Sequence, residues 1–328
     1  DERKKNVDIA MAHFKMKNEE ILDKVKSLDL SLSTLLDTLK SVTPTDDEGS
    51  FYKDFKGDIN QLSNTDNFFR LVGLFPRSVF ISSIEILDLK IEGKKNIEKT
   101  ISDLLTFRNA INQIDTSSSL TTVLLLILTM GNVVNGGTLR GGAFGFKIEM
   151  ISKLKDARNS SNDSFLTFLI DYLMSEKQEA LNLEDELCSV PFAAAYDLSQ
   201  VEKELTPLAA KINSINKVVD DKNVHVSKEF LKEADFINKT VGADIKNALS
   251  ILSDINKSFP KLLKKFGEGE NTSTADFFGY FATFMQDFKE IRIALEKKKE
   301  KERKDKKKET KNVGKQPFHL NNDDLNKT

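Results

Sequence analysis

Six of the chain's fifteen glycines fall between Gly131 and Gly145, in the passage Gly131-Asn132-Val133-Val134-Asn135-Gly136-Gly137-Thr138-Leu139-Arg140-Gly141-Gly142-Ala143-Phe144-Gly145-Phe146-Lys147. Backbone that is free to adopt positive φ can wrap a phosphate, so nucleotide binding is the first chemistry to weigh. A phosphate loop needs G-x-x-x-x-G-K-[ST] between a strand and a helix, and a dinucleotide site needs G-x-G-x-x-G after a strand. No Lys-Ser or Lys-Thr follows these glycines, and the apolar run before them reads as a helix. The residue types suit a tight, rigid loop beside a buried helix instead, with asparagine side chains satisfying stray backbone groups.

Other reactive constellations are poorly supported. His13, His225 and His319 lie far apart with no i, i+4 pair, so neither a metal site nor a Ser/His/Asp arrangement is indicated, and no cofactor is implied. Cys188 is the single cysteine; it cannot form an internal disulfide, reads as a small buried hydrophobe, and favours a reducing compartment. The longest apolar run, Val123 to Leu128, is six residues, far short of the ~20 that a membrane helix needs. Residues 1–20 are charged rather than apolar, unlike a signal peptide. A soluble cytoplasmic protein is expected. The formal net charge of −2 hides an asymmetry, because Lys297 to Lys311 carry ten basic and four acidic side chains and leave the body acidic. That run reads as a solvated helix extension fading into disorder, or as a weak electrostatic contact with an acidic partner.

The elements that position these residues read as helices throughout. Ile21, Val25 and Leu28 are spaced 4, 3, and Phe51, Phe55, Ile59 and Leu62 repeat the theme after a start signal at Pro44-Thr45-Asp46-Asp47-Glu48, with proline in the first turn. The spacing places all six prolines between such patterns or at their edges. After Pro191, Leu198, Val201, Leu205, Leu208, Ile212, Ile215 and Val218 approach the 3.5-residue period of a coiled-coil seam. A second stripe runs Phe230, Ala234, Ile237, Val241, Ile245, Ala248, Ile251 and Ile255, and the two imply an antiparallel helical hairpin. Asn271 to Asp276 then read as a loop and cap before a helix with Phe277, Phe278, Phe281, Phe284 and Phe288 on one side. The fold class is therefore all-α.

The order of the central motifs resembles the signature of the formin homology-2 domain, as found in diaphanous-like formins. It consists of an apolar helix, Gly131-Asn132-Val133-Val134-Asn135-Gly136, then Arg140-Gly141-Gly142-Ala143-Phe144-Gly145-Phe146-Lys147, then Lys153-Leu154-Lys155-Asp156-Ala157-Arg158. Weaker similarities flank it: Arg3 to Ile9 resembles the family's Arg-x-x-Asn-x-x-Ile, Pro44 to Glu48 its Pro-[ST]-x-x-Glu helix start, and the phenylalanine series its last helix.

This resemblance implies an elongated helical rod with knob, three-helix coiled-coil and post subdomains over residues 1–296, followed by a basic, disordered tail over 297–328. It implies a non-enzymatic module that binds actin and governs subunit addition at the filament barbed end. Ile9 would insert into actin's hydrophobic cleft, with Lys153, Lys155 and Arg158 at a second actin contact where the family usually has lysine in place of Arg158. Gly131, Asn132, Asn135, Gly136, Gly141, Ala143, Gly145 and Phe146 would line a pocket for the N-terminal lasso of a second copy. The chain contains no tryptophan, the residue by which the family's lasso engages that pocket. A core fragment lacking lasso and linker is the expectation, with homodimerisation belonging to the parent protein. A helical scaffold docking some other protein through its coiled-coil hairpin is the alternative.

Overall fold

The structure, a computed structural model, describes residues 2–158 and 162–313. Among the described residues there is no β-strand, only one isolated bridge between Arg158 and Ser164, so the all-α expectation holds. Two compact units emerge: Asp1–Arg108 with Tyr196–Pro260, and Asn109–Ala195 with Lys261–Thr328.

The first unit opens with α1 (Glu2–Met11), α2 (Asn18–Lys26), α3 (Leu36–Val42), α4 (Asp46–Lys53), α5 (Asn64–Gly73) and α6 (Arg77–Asp88). The start signal at 44–48 works as a capping box: Thr45 Oγ1 accepts from the Glu48 amide while the Glu48 carboxylate accepts from the Thr45 amide. Pro44 sits just before this cap, not in the first turn. The apolar series that follows does not form a core stripe. Helix α4 ends at Lys53, and Phe51 and Ile59 are half or more exposed, because Asp54 and Gly57 interrupt the helix before a second turn can align them.

The coiled-coil stripes behave as their spacing predicts. Every apolar residue named on α12 (Leu198–Asp220) is buried, as is each one on α13 (Lys228–Ile237) and on α14 (Ala243–Lys265) up to Ile255. Asn238 Nδ2 donates to Asn216 Oδ1 at 2.7 Å, tying the two arms of the hairpin. Two prolines depart from expectation: Pro207 and Pro260 lie inside α12 and α14, where each forgoes one i→i−4 hydrogen bond. Two π-helical turns, Leu89–Gly93 and Asn238–Gly242, interrupt the long helices, and a Cβ on Gly93 would crowd the Leu89 side chain, 3.1 Å from its Cδ2 and 3.2 Å from its Cβ.

The second unit is built from the C-terminal part of α7 (Lys94–Thr116), α8 (Ser118–Val134), α9 (Phe165–Glu176), the short α10 (Leu183–Glu186) and α11 (Val190–Ala193), and α15 (Thr274–Val313). Its core is aromatic: Phe277, Phe278, Phe281, Phe284 and Phe288 are all fully buried, with Phe266 edge-on to Phe277 and Phe281 at 5.7 and 5.6 Å. Ser273 caps α15 by accepting from the Asp276 amide at 3.0 Å. Beyond the aromatic face α15 continues to Val313, its side chains mostly exposed as far as Lys306; the rest of the expected tail, 314–328, lies outside the described residues.

Candidate functional site

Helix α1 buries only Val7 and Met11, one turn apart, so Ile9 between them faces the other way and is 64% exposed. So little apolar burial cannot hold ten residues alone, and polar tethers add to it. Arg3 donates from Nε and Nη2 to the two carboxylate oxygens of Glu48 at 2.8 and 2.9 Å, and to the Thr43 carbonyl at 3.2 Å. Lys4 Nζ lies 2.9 Å from Asp66 Oδ2, and Thr65 donates its hydroxyl to Asp8. Asp66 also accepts from Ser63 Oγ at 2.7 Å and from the Tyr52 hydroxyl. Burial alone would raise the Asp66 pKa, but these donors outweigh it and hold the carboxyl below its usual range. Burial and the adjoining Asp66 push the Tyr52 hydroxyl up to about 12. The Arg3 hydrogen bond likewise holds Glu48 low.

The glycine passage forms the loop its residue types suggest. Asn132 clasps the backbone of Ala143 from both sides, Nδ2 donating to its carbonyl at 2.9 Å and Oδ1 accepting from its amide at 2.8 Å. The Asn135 carbonyl accepts from the amide and hydroxyl of Thr138 at 3.0 and 2.8 Å, and a Cβ on Gly141 would collide with that carbonyl at 2.7 Å. Gly137 and Gly142 have φ of 77° and 70°, which side chains disfavour. The loop follows the C-terminal end of α8, whose partial charge is negative, so a phosphate would be repelled there rather than held.

Beside the loop lies an apolar groove of about 300 Å³ lined by Leu124, Leu125 and Leu128 of α8, Phe146, Ile148 and Phe266, with Lys265 at its rim. Of the eight residues expected to line a pocket, Gly145 and Phe146 reach this groove; Asn132, Asn135, Gly141 and Ala143 shape the loop through the bonds and close approach just described. Around it Leu125, Val133, Val134, Leu139 and Phe144 are strongly exposed. Helix α8 explains part of this: of its many apolar side chains it buries Leu120, Val123 and Ile127, along one face.

The third group follows at once. A 3₁₀ turn, Ile148–Lys153, buries Ile148 and Ile151, and Leu154 continues the three-residue spacing into the core. Lys153 is exposed and pairs with Glu149 one turn back. Lys155 points the other way, its ammonium 2.7 Å from Asp287 Oδ1 and 2.9 Å from Glu290 Oε2 on α15, and hydrogen bonds to both raise its pKa above the usual lysine value. Arg158 is exposed, with Nη1 donating to the Asn162 carbonyl at 2.9 Å. The structure thus brings Lys153, Lys155 and Arg158 onto one segment, while Ile9 belongs to the other unit. Asp287 and Glu290 carried no signal in the sequence, since a contact across 130 residues leaves no periodicity to read.

Among the described residues no group of histidine, cysteine or carboxylate side chains could hold a metal ion, and no single helix is long and apolar enough to cross a membrane. Cys188 is exposed rather than buried, its Sγ accepting from Gln113 Nε2 at 3.3 Å. Comparison with known proteins bears on the whole arrangement. The chain is 27% identical to Formin-H of Dictyostelium discoideum over 291 residues, covering 86% of this chain and 26% of that protein. It is 27% identical to Disheveled-associated activator of morphogenesis 1-A of Xenopus laevis, covering 88% and 27%, and 28% identical to Disheveled-associated activator of morphogenesis 2 of Homo sapiens, covering 92% and 29%. It therefore spans a little over a quarter of the length of these relatives. The family model described as Formin Homology 2 Domain matches residues 1–289, which takes in α1, the glycine loop, the 148–158 segment and the phenylalanine face of α15, and the chain belongs to that family.

Proposed function

We propose that this chain is an actin-binding module that acts at the filament barbed end, nucleating, capping or elongating filaments in a cytoplasmic, cytoskeletal setting. Membership of the formin homology-2 family over residues 1–289 carries this reading. The mechanism is binding energy without a chemical step in this chain, nucleotide hydrolysis remaining with actin. Ile9 enters an apolar cleft on one actin subunit. Its exposure on a helix that has already buried Val7 and Met11 supports that role, because a large aliphatic side chain left in water gains ~1–3 kcal/mol on burial. Arg158 meets an acidic surface on another subunit, where a planar guanidinium in place of an ammonium favours a two-pronged carboxylate contact.

The groove beside the glycine loop accepts an aromatic side chain from the N-terminal segment of a second formin chain. Its apolar lining and rigid loop support this assignment. Assembly of pyrene-labelled actin with the chain added tests the reading: the expected result is altered nucleation or barbed-end elongation. Unchanged kinetics at saturating chain would leave a helical scaffold for some other partner.

A further inference from the structure

The three cations of the 153–158 segment are not equivalent. Lys153 has a partner one turn away on its own element, and both side chains are about half exposed. Arg158 is exposed, and its Nη1 donates to the backbone carbonyl of Asn162. Lys155 is caught between two carboxylates of a different helix, and Asp287 retains only 16% of its side-chain exposure. Withdrawing the ammonium toward an outside partner would leave Asp287 and Glu290, three residues apart on one face of α15, as unneutralised like charges. It would also cut the polar tie between α15 and the segment that carries Arg158. Further contacts show α15 acting as a spine for its unit: Arg292 holds Glu184 at 2.9 Å, and Lys299 holds Asp171 at 2.7 Å.

We infer that Lys155 is a positioning residue, pinned by Asp287 and Glu290 so that the turn presents Lys153 and Arg158 in one fixed direction, and that it makes no actin contact of its own. This rests on the actin-binding reading above and refines one part of it. A contacting lysine and a positioning lysine differ in one decisive respect, since only the second can be reversed in sign if its partners are reversed too.

The experiment compares wild type, K155E and the triple variant K155E/D287K/E290K. It uses two readouts: inhibition of barbed-end elongation with purified actin as the probe, and hydrogen exchange of the 148–158 amides without actin. K155E should weaken the actin effect about fivefold and speed exchange in 148–158, and the triple variant should restore both. Restored exchange with actin binding still as weak as K155E would show that the ammonium itself touches actin, overturning the inference. Unchanged exchange in K155E would overturn it too. K155Q, which removes the charge without adding repulsion, replaces K155E if the latter fails to fold, with loss of exchange protection again expected. Should wild type leave elongation unaffected, the actin reading fails on its own, and the exchange data still decide whether Lys155 holds the turn.

Discussion

Ile9 stands on a helix tied down largely by charge, whereas Arg158 stands on a turn seated largely by apolar burial. Helix α1 buries two side chains and relies on Arg3–Glu48 and Lys4–Asp66, while the 148–158 segment sinks Ile148, Ile151 and Leu154 into the core of the second unit. The residue proposed to act through burial is thus held by electrostatics, and the one proposed to act through charge is held by packing. This inversion separates presentation from contact. A condition that weakens one mode of binding leaves its own scaffold standing and disturbs the scaffold of the other.

The largest effect should come from removing that apolar seat. Phe281 is fully buried, with ring contacts to Phe277 at 5.2 Å and Phe266 at 5.6 Å, so Phe281→Ala should cost about 3–5 kcal/mol of stability. Thermal unfolding should show the loss as a markedly lower Tm, with hydrogen exchange rising through 148–158 and not through α1. Exchange rising equally in α1 would mean that the two sites are not held separately.

Next in size is Ile9→Ala, which should weaken barbed-end binding by ~1–3 kcal/mol, about five- to 150-fold, without altering stability. Apolar insertion is itself insensitive to screening, so salt should lower the ratio of wild type to variant only by loosening the charged tethers of α1, and by less than it lowers the Arg158 effect. Arg158→Ala should be smaller, ~0.5–1 kcal/mol at low salt, and should fade as salt rises, because exposed charges are screened. Elongation assays of both variants at two ionic strengths test the contrast directly. Salt-dependence in the Ile9 variant and none in the Arg158 variant would reverse the assignment of the two contacts.

How much of this was legible in the sequence depends on how far each cause reaches along the chain. The stripes of α12 to α14 and the glycine loop are local: spacing and residue type decide them, and they formed as read, as did the helix start near Thr45, although its capping box and the place of Pro44 before the cap were not read. Ile9 between Val7 and Met11 could also have been judged exposed from helical geometry, although the contact it makes came only from the family resemblance. The π turn at Asn238–Gly242 left a faint trace, the successive four-residue intervals Ile237, Val241, Ile245 within a 3-and-4 pattern. The helix expected beyond Phe51 failed because apolar spacing was counted without weighing Asp54 and Gly57 as breakers. The pairing of Lys155 with Asp287 and Glu290 was not legible at all, since it depends on which face α15 turns toward a segment more than a hundred residues earlier.

The smallest expected effect, and the sharpest test of how α1 is held, is its response to acid. Asp66 and Glu48 both have folded pKa values below the usual carboxylate range, Asp66 because donation from Lys4, Tyr52 and Ser63 overcomes its burial, and Glu48 chiefly because of Arg3. A depressed carboxylate stabilises the fold above its unfolded pKa, about 4 for these side chains, and that contribution disappears as pH falls through the folded value. Lowering pH below about 4 and through the folded values should therefore release α1 while the buried stripes of α12 to α14 remain protected. The 148–158 turn loses its Lys155–Glu290 pair in the same window, because Glu290 is also held low by Lys155, yet keeps its apolar seat. Protection factors, which divide out the intrinsic slowing of amide exchange with acid, should fall several-fold in α1 and less at Ile151 and Leu154. Asp66→Asn, which cannot be charged, should give the loosened α1 already at pH 7 and flatten its pH dependence. If α1 and the turn instead open together, packing rather than charge holds α1, and the contrast between the two sites collapses.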